Sequence, residues 1–130
     1  MTYKHEILPG EPIMLTTMSA EYSVSRDQAR SDAEARVLLD NAREPLFCII
    51  DLSRVSFSLT DVIGGANAGA RGQEPIFHHN KILELIYVTP NRMVQLAVKG
   101  LGSVAFGKVK ACVFETIEEA LAYVRSQAKN

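Results

Sequence analysis

LFCIIDLSRVSFSLTDVIGGANAGARG, residues 46–72, is the stretch of this 130-residue chain whose reading decides its fold. It opens with a continuous apolar run, Leu46-Phe47-Cys48-Ile49-Ile50, stopped by Asp51. A short, partly β-branched run of this kind predicts a strand buried on both faces, in the middle of an α/β sheet. Apolar character returns at Val55 and Phe57, and Ser58-Leu59-Thr60-Asp61 then leads into a Gly/Ala-rich segment. In open α/β sheets ligands sit beyond the carboxyl ends of the strands, which directs attention to residues 51–65.

Thr60 is the expected N-cap of the next helix, with Asp61 in the first turn, where a carboxylate suits the helix dipole. That helix, expected over residues 62–71, contains Gly64, Gly65 and Gly69. Each interior glycine costs on the order of 1 kcal/mol relative to alanine, so something should compensate. With Ala66, Ala68 and Ala70 the glycines leave a nearly smooth surface, suited to close approach of a sheet, a neighbouring helix or a partner.

Upstream, short extended runs over 3–8 and 13–17 flank Pro9-Gly10-Glu11-Pro12, which predicts a hairpin. Ser25 and Gln28 have capping-box spacing and open a helix reaching about residue 42, with Ala29, Ala33, Val37 and Leu38 as its apolar stripe and its charges as a solvated face. Downstream, residues 71–81 break regular structure at Gly72 and Pro75, and 82–88 form the fourth strand. Thr89-Pro90 reads as a cap followed by proline at the first helical position. Met93, Val94, Ala97, Val98, Leu101, Val104 and Ala105 then keep helical spacing, interrupted by Gly100 and Gly102. Residues 109–114 form the fifth strand, and Thr116 to Glu119 is a second capping box, before a one-sided helix carrying Ile117, Ala120, Leu121 and Val124. A hairpin followed by alternating units predicts a mostly parallel sheet with right-handed crossovers; the strand order stays open.

Composition narrows the partners. Lys+Arg 14 against Asp+Glu 15 leaves a net charge of -1 and no basic footprint for nucleic acid or an anionic membrane surface. No apolar run approaches the ~20 residues that span a bilayer, and MTYKHEILPGE lacks a signal-peptide core, so a cytoplasmic protein of one domain, residues 1–130, is expected. Cys48 and Cys112 fall in separate strand-like runs and read as buried free thiols. His78 and His79 would point to opposite faces of an extended segment, with no Cys or carboxylate at ligand spacing, so no metal or cofactor is expected. No G-x-S-x-G, P-loop or G-x-G-x-x-G occurs, and no catalytic residue is assigned.

Asp51, Thr89 and Lys110, at the third, fourth and fifth strands, resemble the acceptor Asp, switch Thr and Lys of response-regulator receiver domains. The acidic pair that holds magnesium after the first strand has no counterpart in HEILPGEP, and Lys110 is followed by Ala111 instead of Pro. The fuller resemblance is to the STAS family, the SpoIIAA-like anti-sigma-factor antagonists, and covers nearly the whole chain. Regulatory members follow a strand ending in Asp or Asn with F-x-D-[ST]-S-G and a small-residue helix. Here Phe57 takes the Phe position and Thr60 the [ST] position. Leu59 stands where the family has Asp, Asp61 where the phosphorylated Ser belongs, and Val62 where Gly belongs.

The resemblance implies an α/β, single-domain SpoIIAA-like (STAS) fold: a mostly parallel five-stranded sheet, an N-terminal hairpin strand and about four helices. It also implies a non-catalytic regulatory or binding module, with Ser58, Thr60, Asp61, Gly64 and Gly65 at the partner-binding surface. The partner would be a protein, such as a kinase-type anti-sigma factor, or a second copy of the chain as a homodimer. A carboxylate at Asp61 carries a fixed charge of about -1 against about -1.5 to -2 for phosphoserine, which would hold the surface near its charged form. Two alternatives stand beside this. A small molecule or lipid would be held where the helices over 62–72 and 91–107 part to leave an apolar cavity. An enzyme or receiver-like domain would use Asp51, with Ser53 and Thr89 in a crevice beyond the strand ends.

Overall fold

The opening hairpin pairs β1 (Tyr3–Ile7) antiparallel with β2 (Ile13–Met18), with Tyr3 opposite Met18 and Ile7 opposite Met14. Gly10 makes the turn at φ 74, a left-handed conformation that favours glycine. The computed structural model describes residues 2–71, 75–103 and 107–128. After the hairpin come α1 (Val24–Asp40), β3 (Leu46–Asp51), α2 (Leu59–Arg71) and a 3-10 turn (Ile76–His78). Then follow β4 (Ile82–Val88), α3 (Arg92–Gly100), β5 (Ala111–Phe114) and α4 (Ile117–Ala128). Gly72, Val104 and Ala105, read above as a break and as part of a helical stripe, lie outside the described residues.

The sheet runs β1-β2-β3-β4-β5, in chain order, and every pair after the hairpin is parallel. Right-handed crossovers that always step to the next strand in the same direction place their helices on the same face. One face of the sheet therefore meets α1, α2 and α3, and the other meets α4. The two apolar clusters divide accordingly. Met14, Cys48, Leu85 and Tyr87 pack with Leu39, Val94 and Val98, whereas Ile13, Phe47, Ile49 and Ile86 pack with Ala120 and Val124. β3 is buried on both faces, as its unbroken apolar run predicts.

Three helix starts differ from the sequence reading. α1 begins at Val24 with Ser23 as cap, and Asp27 Oδ2 accepts from the Ser23 N–H at 2.9 Å. Gln28 is thereby released from capping. α2 begins at Leu59, one residue ahead of the expected cap Thr60; the cap is Ser58, whose Oγ accepts from the Asp61 N–H at 3.1 Å. α3 is capped by Asn91, whose side-chain oxygen accepts from the N–H groups of Met93 and Val94. Asn91 offers an acceptor on a short arm, while Thr89 is still held in the sheet, its N–H donating to the Phe114 carbonyl. The Thr116–Glu119 box forms as expected, each residue's N–H donating to the other's side chain at 3.2 Å.

The α1 stripe is also different. Val37 is 58% exposed, and Ala29 and Ala33 face solvent; the buried face carries Gln28, Ser31, Ala35 and Leu39. The helix has turned a partly polar face inward.

On the α4 face, Glu84 is buried at 5% exposure, and the Tyr123 hydroxyl donates to its Oε1 at 2.6 Å. Removing that donor leaves a buried carboxylate short of a partner, which costs roughly 1–3 kcal/mol. Tyr123→Phe is expected to destabilise the chain by about 2 kcal/mol in urea unfolding at unchanged m. A midpoint within error of the parent would show that the bond contributes nothing net.

Candidate functional site

The register lays His5, Thr16, Ile50, Tyr87 and Val113 side by side across all five strands, and Met14, Cys48, Leu85 and Ala111 form the next row. Side chains alternate faces along a strand, so these rows point together toward α1, α2 and α3. Opposite the central strands, the middle helix α2 presents Val62, Gly65 and Ala66. Those small side chains fill little of the gap. A cavity of about 140 Å³ results, floored by the β1 to β4 members of those rows and roofed by the three helices, with Phe57 and Phe77 also on its wall.

Two of the helix glycines serve packing within the chain. A Cβ on Gly69 would overlap the ring of Phe77, and a Cβ on Gly65 would lie 3.2 Å from Gln28 Oε1. Gly64 has open space around it. Gln28 ties α1 to α2, its Nε2 donating to the Gly65 carbonyl at 3.0 Å. A second, longer contact of 3.4 Å runs from the same nitrogen to Asp32 Oδ2.

The polar groups of the cavity wall come mainly from α1 and β1. His5 Nε2 lies 3.0 Å from the Ser31 carbonyl, which only an N–H can satisfy, so Nδ1 is assigned as acceptor from Thr16 Oγ1 at 2.7 Å. Burial pushes the His5 pKa below its ordinary value, which favours the uncharged ring. Asp32 is the opposite case. Burial raises its pKa to about 6, and the Gln28 amide and the Arg36 charge offset only part of that. Its charge in turn reaches the hydroxyls of Tyr22 and Tyr87, whose pKa values burial has already raised. Burial likewise pushes the Cys48 thiol up to about 12, so that thiol is an inert part of the floor.

The residues singled out from the sequence fall elsewhere, in part. Ser58 and Asp61 form a reciprocal capping box, with Asp61 Oδ2 accepting from the Ser58 N–H at 3.2 Å; Asp61 also borders the cavity. Thr60 is exposed in the first turn of α2. Asp51 Oδ1 accepts from the Ser53 N–H and hydroxyl at 3.0 and 2.6 Å, closing a turn on itself. Thr89, at 1% exposure, uses Oγ1 to accept from the Asn91 N–H. Asp51, Ser53 and Thr89 are not among the residues that line this cavity. A sheet laid down in chain order has no point where the winding reverses, and such reversals are what open a crevice beyond strand ends. The same order differs from the doubly wound 2-1-3-4-5 arrangement of receivers. Lys110 is exposed, and His79 pairs with Asp40 at 2.7 Å.

Tyr22, Gln28, Ser31, Asp32 and Tyr87 are the wall residues that sequence reasoning passed over. The signal for Gln28, Ser31 and Asp32 was the spacing 28, 31, 32, 35, 39, one helical face that ends in Leu39 and carries small or uncharged polar residues beside a single acid. Among the described residues no group of three or more His, Cys, Asp or Glu is placed to hold a metal ion, and no helix is long and apolar enough to cross a membrane.

No family model matches the sequence, and no curated protein matches it. Among solved structures, an uncharacterised protein of the DUF3478 family from Shewanella loihica PV-4, with a SpoIIAA-like fold, is similar. The TM-score is 0.61 over 94% of this chain and 91% of that one, at 13% identity. The chain has a SpoIIAA-like fold, and at that identity the likeness speaks to fold alone.

A carboxylate whose folded pKa lies above its unfolded value of about 3.8 binds more protons in the folded state between those two values. Stability therefore falls as pH rises from about 4 to about 6, and the whole penalty is present above that. Asp32→Asn is expected to stabilise the chain by on the order of 2 kcal/mol at pH 7.5, and by much less near pH 4, in urea unfolding at both pH values. A destabilised variant at pH 7.5 would show the carboxylate to be well paired.

Proposed function

We propose that this SpoIIAA-like fold serves as a non-catalytic binding module, and that it takes a small, largely apolar ligand in the cavity between the sheet and α1, α2 and α3. The observation that carries this reading is the cavity itself. At about 140 Å³ it is close to the ~150 Å³ apolar space known to admit a benzene-sized molecule. Its floor and roof are aliphatic and aromatic, with a few polar groups gathered on the α1 and β1 side, the usual composition of a small-molecule site. Longer chains, such as lipids, would need α2 to move away from the sheet.

A ligand that binds only the folded state raises its stability, by about 1.4 kcal/mol at ten times its dissociation constant. For a chain of this size that corresponds to a rise of roughly 5 °C in Tm. Monocyclic aromatic probes are expected to produce such a saturable rise, and Ala66→Leu, which fills the cavity from α2, to suppress it. The variant's folded state is checked by circular dichroism. Equal response in parent and variant, or none in the parent, rejects the cavity as a binding site.

A second reading has its own observation. Leu59 and Ile63 on α2 are 61% and 52% exposed, beside the Ser58–Asp61 box where regulatory STAS proteins meet their partners. In this reading the chain binds a kinase-type anti-sigma factor through α2 in a form held charged by Asp61. Incubated with such a kinase and ATP, the chain is expected to form a complex and gain no mass. Stoichiometric phosphate on Ser58 or Thr60 would overturn the unswitched form.

A further inference from the structure

We infer that the cavity's preferred ligand is a small organic cation, an aromatic or aliphatic ammonium whose charged nitrogen meets the Asp32 carboxylate while its apolar body fills the space under α2. This rests on the binding reading above and names the chemical class of its ligand.

Three observations converge. Asp32 sits on the cavity wall, where its contact with the neutral donor Gln28 Nε2, at 3.4 Å, is longer than a good hydrogen bond, and the Arg36 charge acts on it from the same helix. That leaves acceptor capacity on a carboxylate in a largely apolar surround, where an ion pair is strong and an unsatisfied charge is costly. Second, the described residues lining the cavity include two aspartates, Asp32 and Asp61, and no lysine or arginine. Burial lowers the pKa of His5, the one histidine on the described wall, which disfavours a competing positive charge there, so the field inside favours a positive guest. Third, the wall carries the aromatic rings of Tyr22, Phe57, Phe77 and Tyr87, with Phe77 and Tyr87 edge to face at 6.4 Å between centroids. Aromatic faces attract ammonium groups, and the attraction strengthens where water is excluded.

The groups facing Asp32 bear on its protonation from every side. Arg36 acts from its own helix, Tyr22 from the segment before α1 and Tyr87 from β4, while Asp61 and His5 share the wall from α2 and β1. With its pKa raised to about 6, Asp32 is ionised at pH 7.5 and available to a cation there. A bound ammonium would hold the proton off, so affinity for a cation falls below pH 6 while affinity for a neutral guest does not.

Benzylamine and ethylbenzene, nearly equal in shape and differing in charge, are titrated against the full chain at pH 7.5 by NMR chemical-shift perturbation. Benzylamine is expected to bind at least tenfold more tightly. Asp32→Asn, expected to be more stable than the parent, should abolish that preference and leave ethylbenzene binding unchanged or improved. Equal affinities in the parent, or a preference that survives in Asp32→Asn, would overturn the cation assignment and leave the cavity reading intact. Failure of both probes to bind would overturn both.

Discussion

The right-handed crossover is the constraint on which this architecture depends. From β2 onward the parallel strands lie in chain order with a helix in each crossover, and the right-handed rule then sets α1, α2 and α3 on one face of the sheet. The other face is left to α4 alone, which meets it through Ala120, Val124 and the Tyr123–Glu84 bond. The crowded face is where the unusual features occur. Its middle helix must close over the central strands, yet it carries Val62, Gly65 and Ala66 there, too little volume to fill the space above Cys48, Ile50 and Tyr87. Glycine in a helix weakens it, and at Gly69 the compensation is explicit, because only a residue without Cβ lets Phe77 lie against the helix. The void and the close contact arise from the same small-residue helix.

Against that void, α1 turns a polar face inward. Gln28 stitches α1 to α2, and Ser31 and Thr16 occupy both nitrogens of His5, so these groups recover in hydrogen bonds what they lose in hydration. Asp32 recovers less, which is why burial dominates its protonation. A chain selected for stability alone would gain by an uncharged residue at that position. Groups held at a stability cost inside a cavity are the ones that binding sites accumulate.

The N-terminus of α2 shows how one residue can satisfy two descriptions. The resemblance read from the sequence sets Asp61 against the phosphorylated serine of the STAS family, and in the structure Asp61 completes a capping box with Ser58. The cap accounts for its charge and position locally, by satisfying a backbone N–H that the helix leaves open. Asp51 and Thr89 are similar, since each spends its side-chain oxygen on a turn at a strand end. Polar residues at strand exits have this local work available to them in any α/β sheet.

The chain's local patterns determined its elements. The five-residue apolar run foretold a doubly buried strand, the Thr116–Glu119 spacing a cap, the Pro-Gly pair a hairpin, and the alternating order a mostly parallel sheet. The first three depend on residues within a few positions of one another, and the last on the order of such elements along the chain. Cap identity at Ser23, Ser58 and Asn91 was the limit of that reading, because neighbouring polar residues compete for the same open N–H groups. Tertiary structure alone decided the strand order, the inward face of α1, the volume under α2 and the setting of Asp32. Those follow from which distant groups meet: Gln28 faces Gly65 and Asp32 lies near Tyr87 only once the crossovers have stacked three helices side by side. A sequence pattern records which residues share a helix face, and burial is settled by what that face is pressed against.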